Sequence, residues 1–201
     1  MLKLFSFLFI PVILFTSVAA QATQTVELQP VEAAAADNLT LKGDYYALPG
    51  DTPHAAVLLM HQFGSNRRSW SDLIPALLDA GYNVLTVDLR GHGETGGKID
   101  WTAAQTDTQT WLSWMRQQPG VRADAISIIG ASIGSNLALV GCAADEQCVT
   151  AIALSPGLDY FGVKTDTAVT EGLRKRSALL VAAQADGQSS NGIKELVTAA
   201  R

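Results

Sequence analysis

Histidine and cysteine are both scarce in this chain. Among 201 residues there are three histidines, at 54, 61 and 92, and two cysteines, at 142 and 148. Two cysteines this close, with no histidine nearby, do not make a zinc site, so no metal is expected. No basic run and no basic–aromatic patch occurs, and the net charge is −5. That removes any reason to expect a nucleic-acid partner. Internal repeats, long linkers and low-complexity tracts are absent. The long apolar run at 4–15, LFSFLFIPVILF, contains Pro11 and falls short of the roughly 20 residues a spanning helix needs.

That run instead has the layout of a secretory signal. Lys3 precedes it, and the small residues TSVAA at 16–20 follow. Residues 1–20 are read as a signal peptide cleaved after Ala20 or Ala22, the alternative being an uncleaved anchor. No cysteine follows the run to carry a lipid. The mature protein is therefore expected to be exported, periplasmic or extracellular, with no stable membrane anchoring after cleavage. Nothing in the sequence fixes an oligomeric state. In an oxidising compartment Cys142 and Cys148 are expected to form a short-loop disulfide rather than remain two buried thiols.

With 48% hydrophobic residues the rest suits one globular domain. Residues 21–38, rich in Ala, Gln and Thr, are expected to be an exposed lead-in, and 39–201 the domain. The segment 39–48 alternates as a strand, and Pro49-Gly50 stops it. AAVLLM at 55–60 is an unbroken apolar run, as in a parallel strand covered on both faces. Trp70, Leu73, Ile74, Leu77 and Leu78 fall at helical spacing, ending at Gly81. Further strands are expected at 82–89, 126–129, 149–154 and 177–185. A helix is expected around Trp111–Met115, and another from Asn191 onward. This alternation predicts an α/β fold with a mostly parallel sheet flanked by helices.

The segment around which the chain is organised is AISIIGASIGSNLALV at 125–140. It places G-x-S-x-G, Gly130 to Gly134, between a strand and a helix. A strand turning abruptly into a helix leaves no room for a Cβ on either side of the bend, hence the two glycines. Ser132 would then stand exposed at the bend, with the N–H groups of the helix start directed at it. A plain tight turn is the alternative. Other chemically suggestive residues also end strands: His61-Gln62-Phe63-Gly64, Asp88 to Gly93, Ser155-Pro156-Gly157 and Asp186. That is the edge at which open α/β sheets bind ligands.

Taken together, HQFG at 61–64, DLRGHGET at 88–95, GASIG at 130–134, LSPGLDY at 154–160 and AQADG at 183–187 resemble the α/β-hydrolase superfamily. The branch is that of small dienelactone-hydrolase-like and esterase-like enzymes. The resemblance implies a three-layer sheet-and-helix fold and an acyl-enzyme mechanism with Ser132 as nucleophile. It implies oxyanion donors at the Ile133 N–H and at Phe63, with Gln62 as second choice. It makes Asp186 the acid, with Asp159 a weaker rival; a simple helix-capping aspartate is the alternative for Asp186. HQFG departs from the commoner His-Gly-x-Gly pattern by carrying Gln62. His61 and His92 are expected to shape loops, with Asp88 and Arg90 paired, and His54 to lie at the surface. No cofactor is implied.

The superfamily order is Ser, acid, His, yet no histidine follows Asp186. The sequence is therefore expected to be C-terminally incomplete, lacking the last strand, the catalytic histidine and the last helix, and to be inactive as it stands. In the complete form the expected partner is a small-molecule ester, small or accessible because only 157–176 separate the last two strands. The competing readings are a non-catalytic α/β-hydrolase-like binding protein and an enzyme using His61 or His92 as base.

Overall fold

The structure, a computed structural model, describes residues 26–173 and 176–200. The expected signal segment lies outside the described residues. The chain runs β1 (Glu27–Ala34), β2 (Thr40–Ala47), β3 (His54–Met60), α1 (Ile74–Asp79), β4 (Asn83–Val87) and α2 (Trp101–Arg116). It continues through β5 (Val121–Ala131), α3 (Ile133–Ala144) and β6 (Cys148–Leu154), then a two-stranded hairpin, β7 (Asp159–Tyr160) and β8 (Val163–Lys164). β9 (Ser177–Val181) and α4 (Gly187–Ala199) follow. The main sheet has seven strands in the order β1-β2-β4-β3-β5-β6-β9. β1 and β2 are antiparallel, and β4, β3, β5, β6 and β9 pair in parallel.

β3 shows why the apolar run folds as it does. Leu58 and Met60 join the core against α2 and α3, whereas Val57 and Leu59 join the opposite cluster with Trp70 and Ile74. A period of two with both faces covered requires every position to be apolar. Full burial of a leucine contributes about 1.5–3 kcal/mol, so this strand anchors both layers.

Three elements differ from their sequence expectations. β1 lies inside the expected lead-in. Among the described residues it pairs only with β2; it leaves Leu28 46% exposed and carries Pro30, which an edge strand tolerates, so no apolar alternation announced it. The expected helix from Trp70 is a 3₁₀ turn, Arg67–Trp70, followed by the six-residue α1 with Pro75 in its first turn. Proline starts a helix but cannot lie inside one, so the two pieces stay separate. β9 stops at Val181 rather than at 185. Among the described residues it pairs with β6 alone and leaves Leu179 54% exposed.

α3 is tied down at its C-terminal end. Cys142 and Cys148 are bridged with Cα atoms 5.2 Å apart, as expected. The Arg176 guanidinium donates to the carbonyls of Cys142 (2.7 Å), Asp145 (2.6 Å), Cys148 (3.0 Å) and Gly172 (2.6 Å). A cation at the negative end of the helix satisfies carbonyls that the helix cannot. The bridge closes a loop with a sequence separation of six, for which chain entropy gives about 2 kcal/mol. Replacing both cysteines by alanine is therefore expected to lower the unfolding free energy by about 2 kcal/mol in denaturant titration. An unchanged midpoint would show that Arg176 alone secures this end.

Candidate functional site

The strand-to-helix bend at Ser132 is closed by backbone touching backbone. Ser132 has φ +51° and ψ −122°, a conformation that L residues rarely adopt. A Cβ on Gly130 would strike the carbonyl of Gly134 and lie 2.7 Å from the Ser135 nitrogen. A Cβ on Gly134 would strike the carbonyl of Met60 and lie 2.5 Å from that of His61. The two glycines thus let α3 start against both β5 and the end of β3. The Ser132 N–H donates to the Leu154 carbonyl (2.8 Å), and its carbonyl accepts from Ser135 N (2.8 Å). With both backbone groups held, the residue keeps a strain of about 1–3 kcal/mol.

The first N–H groups of a helix have no partner inside it. Among the described residues, the N–H groups of Ile133 and Phe63 meet no backbone acceptor outside the helices and strands. Ile133 opens α3, and Phe63 lies in the turn after β3, two residues past the carbonyl that packs on Gly134. Both belong to the carboxyl edge of the sheet.

His61 is fully buried. Its Nδ1 donates to the Gln62 carbonyl (2.7 Å), and its Nε2 accepts from the Leu89 N–H (3.0 Å). Both ring nitrogens are occupied, so the ring joins two loops and has no lone pair for a serine. Burial holds its pKa below the ordinary value of 6.5, and neighbouring His92 adds to that, while the Gln62 bond and Asp88 act the other way. His92 Nδ1 donates to the Arg90 carbonyl (3.0 Å). His54 opens β3, at the opposite edge of the sheet.

Asp88 and Arg90, expected to pair with each other, do not. β4 ends at Val87 and the chain bends at Gly91, where φ is +79°, so the two side chains part. The Asp88 carboxylate pairs with the Arg67 guanidinium and accepts from the N–H groups of Arg67 (2.7 Å) and Glu94 (2.7 Å). Arg90 pairs bidentately with Asp107 on α2 (2.9 and 2.8 Å) and also binds Asp37. Arg67 carried no sequence signal for this role.

β5, β6 and β9 are adjacent and parallel, so Ser132, Ser155 and the loop holding Asp186 emerge at one edge. Ser155 has φ +54°, and its N–H donates to the Val181 carbonyl (2.6 Å). Asp186 caps α4, accepting from the Ser189 N–H at 3.2 Å. Its hydrogen bonds with Ser189 and then Ser155 hold its carboxyl below the usual range. The capping role weighed from sequence is therefore real, and the residue also faces Ser155 beside the elbow strand. Asp159 lies on β7, where its carboxylate accepts from the Gly162 N–H (2.7 Å). Buried Asn136, one helical turn after Ser132, was missed. Its Nδ2 donates to the Val163 carbonyl (2.8 Å) and its Oδ1 accepts from Gly157 N (3.0 Å), fixing the β7–β8 hairpin to α3. The i, i+4 spacing from Ser132 is the signal that could have found it.

Comparison with known proteins agrees with the fold. The family model for the alpha/beta hydrolase fold matches residues 55–184. The chain is 29% identical over 131 residues to 2,6-dihydropseudooxynicotine hydrolase of Paenarthrobacter nicotinovorans, covering 60% of this chain and 34% of that protein. It is 26% identical over 143 residues to the polyketide transferase grgF of a Penicillium species, covering 69% and 48%. The chain thus spans about a third to a half of the length of these relatives. Among solved structures, Pyrococcus furiosus esterase Pf2001 superposes with a TM-score of 0.60 at 28% identity, covering 66% of this chain and 53% of that one.

The state of His61 has a consequence for stability. A histidine whose folded pKa is lowered contributes stability that is complete above its unfolded value of 6.5 and is lost as pH falls below it. The unfolding free energy of the parent is expected to decline as pH falls below about 6.5, by up to ~1.4 kcal/mol per pH unit for this residue. His61→Gln is expected to be less stable at neutral pH and to show a shallower slope. Equal slopes in both proteins would show that His61 is not held neutral.

Proposed function

The chain belongs to the alpha/beta hydrolase fold family, and on that premise we propose that it is an exported serine hydrolase cleaving small or accessible carboxylic esters. Ser132 attacks the ester carbonyl and forms the acyl-enzyme, which water then cleaves. The N–H groups of Ile133 and Phe63, or Gln62 in place of Phe63, receive the negative charge that develops on the oxygen. Asp186 orients and stabilises the base. The observation that carries this reading is the left-handed backbone of Ser132 at the mouth of α3, closed by Gly130 and Gly134. Export is supported by the signal-like first twenty residues and by the Cys142–Cys148 bridge.

The base is proposed to come from outside the described residues. His61 has both ring nitrogens engaged, and His54 lies at the far edge of the sheet. His92 is directed by the Arg90 carbonyl and packs among aromatic rings. A serine hydroxyl without an adjacent base is a poor nucleophile, so the 201-residue chain alone is proposed to be inactive.

Hydrolysis of p-nitrophenyl acetate tests both statements. The 201-residue chain and its Ser132→Ala variant are expected to be indistinguishable from background. Robust turnover lost in Ser132→Ala would place the base on His92. In a longer form carrying a histidine after Asp186, Ser132→Ala should lower kcat by about 10⁴–10⁶, and Asp186→Asn by less. Asp159→Asn should leave the rate nearly unchanged. A silent Asp186→Asn with a damaging Asp159→Asn would exchange the two assignments.

A further inference from the structure

Four aromatic rings from four separate segments meet at the edge that carries Ser132. Phe63 comes from the turn after β3, His92 from the turn after β4, Trp101 from the first position of α2, and Phe161 from the tip of the β7–β8 hairpin. Trp101 and Phe161 lie nearly parallel, with centroids 5.5 Å apart at 19°. Phe63 touches Phe161 (5.6 Å), His92 (5.5 Å, edge-on) and Trp101 (6.2 Å). Core packing does not account for this cluster, because Phe161 is 62% exposed and Phe63 52% exposed. Large apolar surface kept in water at a ligand-binding edge marks a recognition surface.

The cluster is held in place from the nucleophile helix. Phe161 and Gly162 have φ of +54° and +87°, the mirror-image turn that joins two short antiparallel strands. Asn136 binds both sides of this hairpin, and the Thr165 hydroxyl donates to the Gly157 carbonyl (2.9 Å). On the other side, Phe63 follows the His61 carbonyl that packs on Gly134. The rings from β3 and from the hairpin are therefore both referenced to the first turns of α3, which begins at Ser132.

We propose that Phe63, Trp101 and Phe161 form an aromatic clamp that binds the aryl group of an ester substrate beside Ser132. The proposal rests on the hydrolase reading and names its substrate class: aryl-bearing rather than straight-chain aliphatic esters. Flat rings in offset and edge-on contact leave π faces that a further ring can extend, and aromatic pairs gain beyond the area they bury.

Binding can be measured without turnover. The probe is benzylacetone, the ketone isostere of benzyl acetate, titrated against the 201-residue chain by ligand-observed NMR, with the saturated cyclohexyl analogue alongside. Saturable binding is expected, with the cyclohexyl analogue several-fold weaker. Ser132→Ala should retain it, whereas Phe161→Ala and Trp101→Ala should each weaken it by about tenfold. Phe161→Leu, which keeps the bulk of the hairpin tip but not the ring, should weaken it similarly. Absence of saturable binding, equal affinity for the two analogues, or unchanged affinity in both Phe161 variants would overturn the clamp. The hydrolase reading fails separately, if a longer form that binds benzylacetone through these rings shows no Ser132-dependent turnover.

Discussion

The site depends on a place where three backbones touch with no side chain between them. The carbonyls of Met60 and His61, at the end of β3, lie against Gly134, and the carbonyl of Gly134 lies against Gly130 on β5. Close packing of this kind is unforgiving, because the clash that any Cβ would create is with backbone and cannot be relieved by a rotamer. The result is a bend too tight for an ordinary conformation at Ser132, which is held at φ +51°. Within this bend the left-handed backbone falls on the residue whose hydroxyl is the candidate nucleophile, the pattern expected where function rather than stability set the geometry.

α3 transmits this constraint to the rest of the edge. Its first residues meet β3, and Asn136 reaches across to the hairpin after β6. Its last carbonyls are gathered by Arg176, and a disulfide joins it to the start of β6. The loops after β3 and β4 are fixed independently, by His61 bridging Gln62 and Leu89 and by the Asp88–Arg67 pair. Arg67 also pairs with Asp44 (2.8 Å) and Glu94 (2.9 Å), and removing it would leave buried Asp88 without a cation, so the arrangement favours one loop conformation.

The sequence made legible what depends on local pattern. The apolar run of β3, the glycines about Ser132, the cysteine spacing and the α/β alternation each need only neighbouring residues, and each is realised in the fold. Partnerships across sequence were harder to read. Asp88 and Arg90 are two residues apart, yet each found its partner elsewhere, on Arg67 and Asp107, because the bend after Val87 turns them apart. β1 was hidden because an edge strand paired on one side needs no apolar alternation, and β9 ends at Val181, four residues before the end of the apolar run that marked it. The aromatic cluster draws on positions 63, 92, 101 and 161, which only the fold brings together.

The packed bend is tested most directly by equilibrium unfolding of Gly134→Ala beside Ser132→Gly. Gly134→Ala is expected to lose about 3 kcal/mol or more, since backbone must move to admit the methyl group. Ser132→Gly is expected to be neutral or more stable, because relief of about 1–3 kcal/mol of strain outweighs or balances the added freedom of the unfolded chain. A Gly134→Ala variant as stable as the parent, with Ser132→Gly destabilised, would contradict the account.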